Sequence, residues 1–126
     1  MQTPYEKIGG EEVVRKLVDR FYDLMDQQSG FQGIRDMHAK SLKASREKLF
    51  MFLSGWLGGP QLYVEKYGHP RLRQRHLPFA IGESERDQWL TCMTQAMEDI
   101  GLDEEMRTGL KQSFWKTADF MRNQEG

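Results

Sequence analysis

The 126-residue sequence predicts an all-α fold, and three observations carry that expectation. Apolar residues recur at steps of three and four through four long stretches, glycine-containing breaks separate those stretches, and no run alternates apolar with polar as a half-buried strand does. At this length the chain forms one domain, residues 1–126, whose single core buries roughly two thirds of the unfolded surface. No internal repeat or low-complexity segment divides it.

Thr3-Pro4-Tyr5-Glu6 has the spacing of a capping box with proline at the first helical position, and Gly9-Gly10 ends that helix after about one turn. Val14, Leu17, Val18, Phe21, Tyr22 and Met25 then share one face, with Glu12, Arg15, Asp19 and Asp23 at other angles. This is an amphipathic helix of about four turns. Residues 27 to 41 are polar and irregular, broken at Gln27-Gln28-Ser29-Gly30, with a short turn around Phe31 to Met37. From Ser41 the helical pattern returns: Leu42, Leu49, Phe52, Leu53, Trp56 and Leu57 form a wide stripe that Gly58-Gly59-Pro60 stops. Phe50 and Met51 extend the apolar surface past what one packing partner needs, which suits a helix covered by protein on one face and by a flat ligand on another.

Residues 61 to 68 fit either a loop or one further helical turn. The stretch from Gly68 to Phe79 predicts a brief helix, with Pro70 at its first position and Pro78 as its stop. Ser84 is placed to cap the next helix, Glu85 and Asp87 favour its positive end, and Trp89, Met93, Ala96, Met97 and Ile100 make its stripe. After a break at Gly101-Leu102-Asp103, Met106, Leu110, Phe114, Ala118 and Met121 continue the pattern in a last helix, expected to close the core against its predecessor. Arg122 to Gly126 reads as a frayed polar tail.

Lys and Arg total 18 against 19 Asp and Glu, a net charge of −1, so no global field directs the chain to nucleic acid or to an anionic membrane. The lone Cys92 excludes an internal disulfide, a cysteine-rich zinc site and a CxxCH haem attachment, and beside an apolar stripe it reads as a buried, inert thiol. No stretch approaches the ~20 apolar residues of a membrane span, and Met1 to Glu6 lacks a basic start followed by an apolar run. A reducing cytoplasm is the expected location.

Several residues carry chemistry. His76 falls near the end of the brief helix, where the Leu72 carbonyl four residues back can accept from Nδ1–H and leave Nε2 free for a metal; otherwise it is a half-exposed histidine on a basic turn. Tyr22 lies on or beside an apolar face and its hydroxyl needs a partner, whether a backbone carbonyl or a ligand. Trp89 opens its stripe as a core anchor. Residue patterns alone support either a ligand-binding helical domain or a helical interaction module without a cofactor.

The motifs Gly68-His69-Pro70, Arg75-His76-Leu77-Pro78-Phe79, Glu85-Arg86-Asp87-Gln88-Trp89-Leu90 and Cys92-Met93 occur in order, behind Phe21-Tyr22, Phe52-Leu53 and Gly58-Gly59-Pro60. Together they resemble the group II truncated haemoglobins over nearly the whole chain. The resemblance implies a truncated globin fold, a two-over-two helical sandwich around non-covalent haem b, with His76 as the proximal iron ligand and the opposite face open to O2, CO, nitric oxide or peroxide. It implies that Tyr22 and the Trp89 indole address the bound ligand. His38 stands where many relatives carry Tyr or Phe, and would be a third polar contact, a donor beside Tyr22 and Trp89, or a sixth iron ligand. Ser45 aligns with a distal-histidine position of oxygen-storage globins, and Leu49, one turn on, walls the distal pocket. Lys48 and Arg75 would meet the propionates, Arg75 through its fork geometry, and Phe52, Leu72, Phe79 and Met93 complete the cofactor contacts.

The implied function is reversible binding of O2 and other diatomic ligands, with O2 held by several hydrogen-bond donors. The alternative is a haem redox enzyme of peroxidase or nitric oxide dioxygenase type, using the same site and an unidentified reductase.

Overall fold

Thr3 begins the first helix as its sequence predicts: its hydroxyl accepts from Glu6 N–H at 3.2 Å, Pro4 follows at the first position, and α1 runs Pro4–Ile8. In the computed structural model, which describes residues 2–124, Gly9 and Gly10 turn the chain at φ 122° and 74° into α2, Glu11–Gln27. A short 3₁₀ turn at Ser29–Phe31 leads to α3, Gln32–Arg35, and then come α4, Lys43–Trp56, and α5, Leu62–Tyr67. The stretch that fitted a loop or a turn is therefore helical. The remaining helices are α6, Leu72–His76, α7, Glu83–Asp99, and α8, Glu104–Phe120. No strand occurs among the described residues, and none of the helices is long and apolar enough to cross a membrane.

Every residue of the α2 stripe is buried, Val14, Leu17, Val18 and Phe21 completely so. Each such side chain contributes roughly 1.5–3 kcal/mol of burial free energy, which makes α2 the central beam. It packs on α4 and on α7, and α7 packs on α8. Two helix pairs result, α2 with α4 and α7 with α8, one laid over the other. Around this ring one junction stays open: α4 and α8 meet chiefly where the Trp56 ring stacks on Phe114, with centroids 4.8 Å apart.

Three local details depart from the sequence reading. Pro70 does not start α6; the helix begins at Leu72, after Arg71 in the left-handed region at φ 47°, so it is a single turn with no buried residue. Ser84 does not cap α7. Gly82 precedes it, and the Glu85 carboxylate reaches back to accept from Gly82 N–H at 2.8 Å, while Ser84 Oγ accepts from Gln88. The tail is not loose through Gln124: Asn123 and Gln124 donate their N–H groups to the Ile81 carbonyl at 2.9 and 3.1 Å. Glu125 and Gly126 lie outside the described residues.

Candidate functional site

The open junction between α4 and α8 is a cavity of about 610 Å³, far larger than the gaps a close-packed interior leaves. Helix α4 gives it Ser45, Leu49, Phe52 and Trp56, α8 gives it Phe114, Met121 follows just past the end of α8, and α6 brings His76 to its wall. Its surface is mainly aliphatic and aromatic, with a few polar groups converging, the make-up of a small-molecule site.

At His76 the local geometry is the one its sequence position predicts. Nδ1 lies 2.6 Å from the Leu72 carbonyl, which can only accept, so Nδ1 carries a proton and the lone pair of the neutral ring is on Nε2. His38 repeats the arrangement, with Nδ1 2.8 Å from the Ile34 carbonyl. The loop that carries His38 is held by Arg35, whose guanidinium donates to Asp26 Oδ1 at 2.9 Å and to the carbonyls of Ala39 and Lys40 at 3.0 and 2.8 Å. Burial is the largest influence on the His38 ring and lowers its pKa, outweighing the Ile34 carbonyl, which raises it; the Arg35 charge adds to the lowering.

Tyr22 is 5% exposed, packs edge-on against Phe21 and lies edge-on to the His38 ring at 5.7 Å. Its phenol lines the cavity, and burial pushes its pKa well above the ordinary value despite the nearby Arg46. Trp89 stands between Phe21 at 5.3 Å and Phe114 at 5.5 Å and also lines the cavity. Neither the Tyr22 hydroxyl nor the Trp89 indole N–H finds a hydrogen-bond partner among the described residues, so both remain available to an occupant. Lys48 and Arg75 are exposed lining residues that pair with no carboxylate among the described residues; each lies near a tyrosine ring, Lys48 by Tyr67 at 5.7 Å and Arg75 by Tyr63 at 5.9 Å. Arg73, two residues before Arg75, is committed elsewhere, since it donates to the Phe120 and Arg122 carbonyls.

The bacterial-like globin family model matches residues 3–123. The group 2 truncated hemoglobin YjbI of Bacillus subtilis (strain 168) is 42% identical over 122 residues, 97% of this chain and 89% of that protein. This chain is a group II truncated haemoglobin. Among solved structures, the cold-adapted truncated hemoglobin of the Antarctic marine bacterium Pseudoalteromonas haloplanktis TAC125 superposes with a TM-score of 0.94 at 46% identity, covering 98% of this chain and 99% of that one. The truncated oxygen-avid haemoglobin from Bacillus subtilis superposes with a TM-score of 0.89 at 41% identity, covering 97% and 100%.

In this truncated haemoglobin the cavity gathers Tyr22, His38, Ser45, Lys48, Leu49, Phe52, Leu72, Arg75, His76, Phe79 and Trp89, the residues that the sequence motifs single out, with one exception. Met93 does not line it. At 1% exposure Met93 sits in the core, because one turn along α7 from Trp89 the helix faces the interior of the bundle instead of the cavity. Cys92 is also interior: its thiol donates to the Phe21 carbonyl, and burial pushes its pKa up to about 12.

Sequence reasoning missed Trp56, Phe114, Ile81 and Met121 as wall residues and Arg86 at the edge. The helix-periodic pattern marks the first two and Met121 as buried without saying whether protein or ligand buries them. The one available signal was the excess width of the α4 stripe.

Proposed function

We propose that the cavity binds haem b without a covalent link, through His76 Nε2, and that the protein reversibly binds O2 and other diatomic ligands. The observation that carries the reading is the His76 ring, its Nδ1 committed to Leu72 and its Nε2 bare at the wall of a large apolar cavity. The residues present fit the group. A flat apolar macrocycle suits walls of Phe52, Leu49, Trp56, Phe114 and Met121, two carboxylates suit the uncommitted Lys48 and Arg75, and a neutral imidazole with its second nitrogen hydrogen-bonded is the usual form of a metal ligand. When bound, haem supplies an iron with one coordination position free for O2, CO or nitric oxide.

Around that position the chain's own residues set affinity. Burial keeps the Tyr22 phenol protonated, hence a donor at neutral pH, and the Trp89 indole can only donate. Each hydrogen bond aimed into a dry cavity contributes on the order of 0.5–1.5 kcal/mol, so losing one speeds ligand release roughly two- to tenfold. His38 plays a different part. With Nδ1 donating to Ile34 and the ring held neutral by burial, Nε2 offers a lone pair and no proton, making His38 an acceptor or a metal ligand. The kinship with an oxygen-avid haemoglobin agrees with two donors at the site.

Stopped-flow O2 dissociation tests the reading. Trp89→Phe and Tyr22→Phe each release O2 several-fold faster than the wild type; unchanged rates in both would remove the donors from the function. A redox role, of peroxidase or nitric oxide dioxygenase type, is favoured by one observation: two oxidisable side chains, Tyr22 and Trp89, both touch the cavity. Sustained turnover of nitric oxide or peroxide with an added reductase system, in place of a single turnover, distinguishes it. We assign the protein to a reducing cytoplasm, in keeping with a single buried cysteine that can form no internal disulfide.

A further inference from the structure

Helix α6 cannot position His76 unaided. It is five residues long, buries none of them, starts from a left-handed Arg71 and stands between two loops. The Leu72 carbonyl orients the ring within the helix, but an isolated turn of this length is unstable in water, so whatever fixes the helix itself must come from outside it.

That support comes from the segment that follows α8. Asn123 turns its side chain toward the segment leaving α6: Nδ2 donates to the Phe79 carbonyl at 2.7 Å and to the His76 carbonyl at 3.3 Å, and Oδ1 accepts from Ile81 N–H at 3.0 Å as well as from Gln124 Nε2 at 3.3 Å. Its backbone N–H donates to Ile81 O at 2.9 Å. Arg73, inside α6, ties the same junction from the other side through the Phe120 and Arg122 carbonyls at 3.2 and 3.3 Å. We propose that Asn123 is a positioning residue for His76, a clamp by which the segment after α8 holds the imidazole where its Nε2 would meet the iron.

The inference rests on the haem reading and adds to it a residue that never touches the cofactor. Because the His76 carbonyl is held by both Phe79 N–H at 3.0 Å and the Asn123 amide, loss of the amide frees the backbone from which the ring is hung. Asn123→Asp is the informative variant: it keeps the shape and the acceptor for Ile81 N–H while replacing the donor with an oxygen facing two carbonyls.

The test compares wild type, Asn123→Asp, Asn123→Ala and, as an independent variant, Arg73→Gln, all reconstituted with haem. Two quantities are read: the rate of haem loss to excess apomyoglobin, and the iron–histidine stretching band of the ferrous protein by resonance Raman. The clamp predicts roughly tenfold faster haem loss in the Asn123 variants, with the band shifted or broadened in both and to a lesser degree in Arg73→Gln. A band at the wild-type frequency in every variant that folds would overturn the proposal even if haem loss were faster, because a merely structural tie changes retention without changing the iron–imidazole bond. Failure of wild type to take up haem at all is a separate result. It would overturn the function proposed above, and this inference with it.

Discussion

At the scale of single residues, Tyr22 ties burial to chemistry most tightly. Its phenol ionises near pH 10 when unfolded and well above that in the fold, because burial penalises the phenolate. Between those values the unfolded chain has lost the proton and the folded one has kept it, so stability falls as pH rises above about 10. Thermal unfolding across pH 8 to 11 should show this decline, and Tyr22→Phe should flatten it; an identical decline in both would mean that the hydroxyl is not held protonated. His38 carries a complementary expectation. Since its neutral ring presents a lone pair, His38→Phe should not speed O2 release, whereas Trp89→Phe speeds it roughly two- to tenfold. A His38 variant faster than the Trp89 variant would show that the imidazole donates after all.

Residue by residue, what could be read in advance was what depends on near neighbours. His76 and the Leu72 carbonyl are four positions apart on one turn, so the tautomer followed from the sequence. Asn123 and Phe79 are 44 positions apart and nothing local links them, which is why a tail expected to fray turned out to hold the histidine segment.

At the scale of elements, the long helices follow from periodicity because their stripes are deep enough for burial to decide, as the fully buried face of α2 illustrates. Short elements were harder. Pro70 suits a first helical position, yet the left-handed Arg71 intervenes and α6 starts two residues later. In α7 the favourable N-terminal contact is made by Glu85 reaching back to Gly82, a bond that side-chain capping preferences at Ser84 do not foresee. Docking between elements gives a sharper prediction. Helix α1 sits on the end of α4 through Tyr5 N–H to Leu57 O at 2.8 Å, and a Cβ at Gly59 would lie 2.5 Å from Tyr5 Cγ. Gly59→Ala should therefore cost about 1–3 kcal/mol by displacing the ring, read as a lowered denaturation midpoint. No change in the midpoint would mean that α1 yields without loss.

For the whole molecule, the two-over-two arrangement follows from α2 packing on both α4 and α7 while α8 packs on α7, which leaves α4 and α8 apart. A stable chain would ordinarily close such a gap with its own side chains. Here the walls remain mainly apolar, and the polar groups that reach them, His76 Nε2, the Tyr22 hydroxyl and the Trp89 indole, have no hydrogen-bond partner among the described residues. The apolar patterns on α4 and α8 were legible as sequence. That they face each other across a cavity, and that Met93 is on the core side of α7, depends on helix rotation set by packing, which periodicity leaves free by a fraction of a turn.

The most direct test of the His76 assignment is the absorption spectrum of the purified protein in ferric, dithionite-reduced and CO-treated states, beside the same spectra of His76→Ala. The proposed site predicts a strong Soret band in wild type that shifts on reduction and again with CO, and that collapses or is severely weakened in the variant. An equal haem content and unchanged spectrum in His76→Ala, or no Soret band in wild type after haem is added back, would contradict it.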